Sequence, residues 1–218
     1  RPETGPLYLA RKELAMNVSF LSGLLLGLAA GVAPGPLLTL VVSQTLRFGT
    51  TEGLKVALAP LLTDLPIVLV SVLVLSRLSD SEKVLGVISL TGALYLGFLA
   101  LEALRTEPLE ADFFDADPKS WRRGALVNFL NPHPYLFWMT VGGPLIFKGM
   151  RTDPISPLLF VAGFYILLIG SKLCLAGIIG RYRGFLSSRA YIIVVRALGL
   201  VLAGLGLFLL RDAFRFLL

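Results

Sequence analysis

Two charged residues stand where an apolar run should carry none. Asp64 lies between Pro60 and Pro66, and Lys172 is the only charged residue between 155 and 180. An acid at the centre of a membrane helix costs roughly 2.5 to 3.5 kcal/mol on insertion scales, so it faces a protein interior and either binds a cation or carries a proton. Asp64 is therefore the candidate proton-coupling group, with Lys172 as its counter-charge. A buried Asp–Lys pair can be purely structural, two expensive charges neutralising one another. A pair that opens can do chemistry, Asp64 taking a substrate ammonium or a proton and Lys172 a substrate carboxylate.

Prolines supply the second signal. Ala33, Pro34, Gly35 and Pro36 interrupt the first apolar run, and Asn131, Pro132, His133 and Pro134 interrupt the fourth. Proline removes a backbone donor and clashes with the preceding turn. Inside a bilayer the broken backbone is tolerated only against protein or a water-filled cavity. N–H groups of the half-helix that follows carry partial positive charge and suit a carboxylate. Pro34, Gly35, Pro36, Asn131, Pro132, His133, Lys172 and Gln44 are accordingly the candidate substrate-binding residues, with Ser43 and Asn128 as weaker neighbours. Glu102 and Arg196, near the ends of their spans, are expected to snorkel or pair.

Other chemistry is poorly supplied. His133 is the only histidine and Cys174 the only cysteine, so a site built on several imidazoles, an internal disulfide and a two-cysteine relay are all out of reach. No acid sits at nearby helical spacing from His133, so no catalytic residue is assigned. Nothing calls for a metal or a cofactor.

The elements that must position these residues follow from composition. Of 218 residues 56% are apolar and 16% charged, with mean hydropathy +0.80, a balance foreign to a soluble domain. Charge and turn clusters delimit six apolar stretches, about 18–46, 53–76, 84–104, 124–147, 155–180 and 190–210, each near or above the ~20 residues a spanning helix needs. The net charge of +6 comes from scattered Lys and Arg, which fit membrane-flanking anchors and not nucleic acid. Residues 1–16 read as a polar N-terminal segment and 17–218 as one domain, with repeat one at about 17–105, an acidic linker at 106–120 and repeat two at about 121–218. Three spans per repeat is an odd number, so the two units enter the membrane from opposite sides, as in many secondary transporters whose sites form where broken helices meet. Lys and Arg of the connections count nine on each side, and six against nine for a chain starting at Met16, so orientation stays open. Gly23, Gly27, Gly31 and Gly35 form a small-residue seam expected to seat a helix of the same chain in preference to a second subunit.

The first-span Pro34, Gly35 and Pro36, the following Ser43, Gln44, Thr45, Leu46, Arg47, Gly49 and Gly53, the acid in span two and the Asn131–Pro132 signature together resemble the LysE/RhtB amino-acid exporters, from about Asn17 to the C-terminus. The resemblance implies a six-span bacterial inner-membrane protein driven by the proton motive force, exporting lysine, arginine, homoserine, threonine, leucine or cysteine-pathway compounds. It implicates Pro34, Gly35, Pro36, Asp64, Asn131 and Pro132. The chain departs from the family pattern at Thr63, where glycine is frequent, at His133, where lysine is frequent, and at Lys172, which has no assigned counterpart.

The expected protein is all-α, with six transmembrane helices in two inverted three-helix repeats and with helices 1 and 4 broken by proline. It is expected to export small metabolites, amino acids foremost, by proton-coupled alternating access, with substrate, protons and the lipid bilayer as partners and a homodimer as an option. A metal or other cation exporter is the alternative within transport, and an intramembrane enzyme the alternative outside it. Thiol electron transfer needs a second cysteine.

Overall fold

The computed structural model describes residues 6–78, 82–107, 120–182, 185 and 188–217. Those residues form helices and turns. In chain order they are α1 (Pro6–Val32), α2 (Pro36–Phe48), α3 (Thr50–Ala57), α4 (Pro60–Leu78), α5 (Glu82–Leu104), α6 (Ser120–Leu130), α7 (Pro132–Phe137), a π-helical turn (Trp138–Gly142), α8 (Gly143–Thr152), α9 (Ser156–Arg181) and α10 (Arg189–Leu217). Most of the acidic linker, 108–119, lies outside the described residues. The polar N-terminal segment is helical from Pro6, so its described part forms the opening turns of α1.

Among the described residues, five helices are long and apolar enough to cross a membrane: Lys12–Val32, Thr50–Arg77, Lys83–Leu104, Ser156–Arg181 and Arg189–Leu217. The chain is a multi-pass membrane protein. The stretch expected at 124–147 is instead divided among α6, α7, the π turn and α8. Pro132 stops α6 and Pro134 lies two residues further on. Pro36 opens α2 at its first helical position, where its missing N–H costs nothing, with Gly35 extended before it. Asn131 caps α7, its side chain accepting from the His133 N–H at 3.1 Å. Gly49, at φ +94°, ends α2 in a conformation that residues with a side chain adopt only at a cost and turns the chain into α3.

Burial is inverted relative to a soluble bundle. On α4, Leu62, Leu65, Leu69 and Leu73 face outward while Thr63, Asp64, Ser71 and Leu75 are buried. Inward hydroxyls bond back to their own helix, Thr63 to the Ala59 carbonyl and Ser71 to that of Ile67, the usual answer for Ser and Thr in apolar helices.

Two helix pairings dominate. α5 packs along α10, and α1 followed by α2 packs along α9. The second is set by the glycine seam. A Cβ on Gly23 would lie 2.2 Å from the Phe160 carbonyl oxygen, on Gly27 2.1 Å from that of Phe164, and on Gly31 1.9 Å from the Ser171 Oγ. Gly35 meets nothing within 4 Å; it belongs to the break and not to the seam.

The end of the bundle that carries the α1 N-terminus is held by polar contacts. Asp153, between α8 and α9, accepts from Lys12 at 2.9 Å and from the Ile155 N–H at 2.9 Å, and Lys148 meets Asp212 at 3.3 Å. The Lys12 ammonium holds the Asp153 carboxyl below the usual carboxylate range. A carboxyl whose folded pKa is depressed stabilises the fold above its unfolded pKa and loses that contribution as pH falls through the folded value. Wild-type protein is therefore expected to lose more melting temperature than Asp153→Asn between pH 6 and pH 3, in detergent-solubilised samples at fixed salt. Parallel curves would remove Asp153 from the acid response.

Candidate functional site

Between the α1–α2 break, α4, α5, α6–α7, α9 and α10 the structure encloses a cavity of about 140 Å³. Its floor is aromatic: Phe137 stacks on Phe164 with ring centroids 4.9 Å apart, and Trp138 meets Phe164 edge-on at 5.1 Å. Pro34 and Glu102 line both this cavity and a shallower pocket formed with Phe98, Leu101 and Arg105, which puts the mouth at the carboxyl end of α5. Glu102 is thus part of the entrance. Arg196 does not pair with it, donating instead to the Thr106 carbonyl at 3.4 Å.

Asp64 reaches the cavity from α4 and is 3% exposed. Its Oδ1 accepts from Asn128 Nδ2 on α6 at 2.7 Å, and its Oδ2 from the Tyr165 hydroxyl on α9 at 3.3 Å. Asn128 Nδ2 also donates to Thr63 Oγ1 at 2.6 Å, and that hydroxyl donates to the Ala59 carbonyl. A buried carboxyl is stable only when it is well supplied with donors. Here the donors come from two helices other than its own, so the state of Asp64 is tied to the packing of α4, α6 and α9.

Lys172 is also 3% exposed and lines the same cavity. The expected direct pairing with Asp64 does not form. Lys172 Nζ donates to the Ala30 and Gly31 carbonyls of α1 at 3.0 and 2.8 Å, while Asp64 is held by Asn128 and Tyr165. The reason lies in the break, which leaves carbonyl acceptors beside α9.

The remaining candidates divide. Pro34, Gly35 and Pro36 line the cavity, as do Asn131 and His133. Asn131 uses its side-chain oxygen as a helix cap. His133 Nδ1 lies 3.2 Å from the Tyr95 hydroxyl, which also lies 3.2 Å from the His133 carbonyl oxygen. Pro132 is not part of the lining; it occupies the first position of α7. Gln44 is outside as well, its Oε1 accepting from Ser120 Oγ at 2.9 Å where α2 meets α6.

Three tyrosines escaped the sequence reading: Tyr165 on Asp64, Tyr95 on His133, and Tyr191, whose hydroxyl donates to the Val32 carbonyl at 2.9 Å. Tyr165 carried a usable signal. It precedes Lys172 by seven residues, two helical turns on the same face of α9.

A family model, LysE type translocator, matches residues 28–213. Among curated proteins, the chemotactic transduction protein ChpE of Pseudomonas aeruginosa is similar, 31% identical over 207 residues that cover 90% of this chain and 100% of that protein. No solved structure matches the chain. The match embraces both proline breaks, Asp64 and Lys172, and members of this family are transporters and not enzymes. A mostly apolar cavity into which a few charged and polar side chains, Asp64 and Lys172 among them, project, closed by aromatic rings on one side and opening beside a broken helix on the other, suits the interior of a membrane translocator, and the chain belongs to the LysE type translocators.

Proposed function

We propose that this protein is a secondary active exporter of small zwitterionic metabolites, amino acids foremost, driven by the proton motive force across the bacterial inner membrane. The observation that carries the reading is the cavity itself, which holds a carboxyl and an ammonium that are not paired to one another. A zwitterion presents the same two charges in complementary positions. Its ammonium is matched to Asp64, displacing the Asn128 and Tyr165 donors. Its carboxylate is matched to Lys172, which directs two of its three N–H bonds at carbonyls and keeps one, and to the first turn of α2, whose N–H groups have no helical acceptor ahead of them.

The arrangement of spans fits two inverted units, about 17–105 and 121–218. Taken as α1–α2, α3–α4, α5, α6–α8, α9 and α10, the six spans pair first with fifth, second with fourth and third with sixth. Exchanging the two units converts the first of these pairings into the second and leaves the third unchanged, as a pseudo-two-fold axis in the membrane plane requires. Alternating access is then the rocking of these pairings about the cavity. When the site faces outward, the substrate ammonium leaves and a proton from that same side takes its place on Asp64; when it faces inward, a new substrate displaces that proton, so inward proton movement drives outward substrate movement.

An export screen tests the reading. Cells overproducing the protein are expected to excrete, and to resist toxic analogues of, a subset of the twenty amino acids, with unchanged sensitivity to divalent metal salts. Resistance to a metal with no amino-acid phenotype would favour the cation-exporter alternative.

A further inference from the structure

The end of α1 is a place where backbone oxygens have lost their partners. In an uninterrupted helix the carbonyls of residues 30, 31 and 32 would accept from the N–H groups of residues 34, 35 and 36. Residues 34 and 36 are prolines and have no N–H, and Gly35 is extended. Ala33 N–H still closes on the Ala29 carbonyl at 3.0 Å, so the helix is intact up to that turn and stops. Three consecutive carbonyls are left, at the negative end of the helix dipole.

All three are taken by side chains from the second half of the chain. Lys172 Nζ donates to Ala30 and Gly31, and the Tyr191 hydroxyl to Val32. Lys172 is delivered there because the glycine seam brings α9 against α1: Gly31 is so close to α9 that a Cβ would meet Ser171 Oγ at 1.9 Å and the Leu168 carbonyl oxygen at 2.9 Å. Converging backbone oxygens at a helix carboxyl end are the kind of donor set that hard cations use, and discontinuous helices of transporters bind coupling ions at such ends.

We propose that the carboxyl end of the broken first helix is a monovalent-cation site and that the Lys172 ammonium is its built-in occupant. The protein therefore needs no alkali ion while the lysine is in place, and removing the lysine opens a site for one. This goes beyond the exporter reading and does not depend on it, because the site is read by ion binding to the folded chain without any substrate.

The full chain in detergent decides it. Wild type, Lys172→Met and Lys172→Arg are melted at equal ionic strength in choline, lithium, sodium and potassium chloride. Wild type and Lys172→Arg are expected to melt at one temperature in all four. Lys172→Met is expected to melt lower in choline and to rise saturably, by several degrees, with one or more of the alkali ions, as a ligand that binds only the folded state requires. A Lys172→Met protein indifferent to every alkali ion overturns the proposal. So does a wild type or Lys172→Arg that already responds to one, since its site would then be open. Where Lys172→Met is not recovered in choline, extraction in each alkali chloride decides: recovery in one of them supports the site, and recovery in none overturns it.

Discussion

Asp64→Asn, reconstituted in proteoliposomes, is expected to lose proton-driven uphill export while remaining folded. The substitution keeps the shape of the side chain and a carbonyl oxygen for Asn128 to donate to, and the new amide can donate to the Tyr165 hydroxyl oxygen. The network that joins α4, α6 and α9 is therefore preserved in outline, and removal of a buried charge relieves a desolvation cost. What disappears is the ability to alternate between a proton and a substrate ammonium. Breaking one partner of a buried charge pair typically costs 2–5 kcal/mol, so apparent affinity for a cationic or zwitterionic substrate is expected to fall by at least roughly thirtyfold. Downhill exchange at saturating substrate would survive better than accumulation against a gradient. Tyr165→Phe gives the complementary result: the carboxyl remains and one donor goes, so coupling persists with altered substrate affinity. Undiminished proton-driven export by Asp64→Asn would remove this residue from the coupling mechanism.

The parts of the site that sequence exposes are those that break a local rule. A carboxylate and an ammonium in apolar runs, and prolines inside spans, are conspicuous because each is costly where it stands. Their partners are not. Tyr95 and Tyr191 sit in apolar helices as ordinary packing residues, and only tertiary contact turns their hydroxyls toward His133 and the Val32 carbonyl; Tyr165 is marked by nothing but its spacing from Lys172. The expectation that Asp64 and Lys172 would pair failed for a reason already present in the chain: Pro34 and Pro36 delete the donors owed to the Ala30 and Val32 carbonyls, and a buried ammonium goes to the nearest orphaned oxygens. Gln44 stands out in the sequence only as a polar residue at the end of the first span, which does not say what it faces. It lies eight residues past the start of α2, about 12 Å along the helix, where Ser120 of α6 claims it. The fold class followed from composition and the break before α7 from the prolines at 132 and 134, whereas the π turn at Trp138–Gly142 carries no signal of that kind in the sequence.

The seam between α1 and α9 carries the largest expected effect on stability, and Gly27→Ala isolates it. The added methyl would lie 2.1 Å from the Phe164 carbonyl oxygen and 2.8 Å from the Phe164 Cα. Both are backbone atoms, so no rotamer change can relieve the clash and the two helices must separate. Alanine in place of a helical glycine gains about 0.5–1 kcal/mol from backbone entropy, and overpacking typically costs about 1–3 kcal/mol. At a separation this far inside contact the cost wins, and it is shared along the seam, because Gly23 and Gly31 lose their close approach with Gly27. Gly204→Ala on α10 is the matched control: a Cβ there meets nothing within 4 Å, so only the entropic gain remains. Thermal melting in detergent is expected to show Gly27→Ala several degrees below wild type and Gly204→Ala level with it or above. The same displacement carries the Ala30 and Gly31 carbonyls away from Lys172, so residual folded Gly27→Ala is expected to be impaired in transport as well. A Gly27→Ala protein as stable as the Gly204→Ala control would mean that α1 and α9 do not approach as closely as the seam requires, and the placement of Lys172 at the helix break would fall with it.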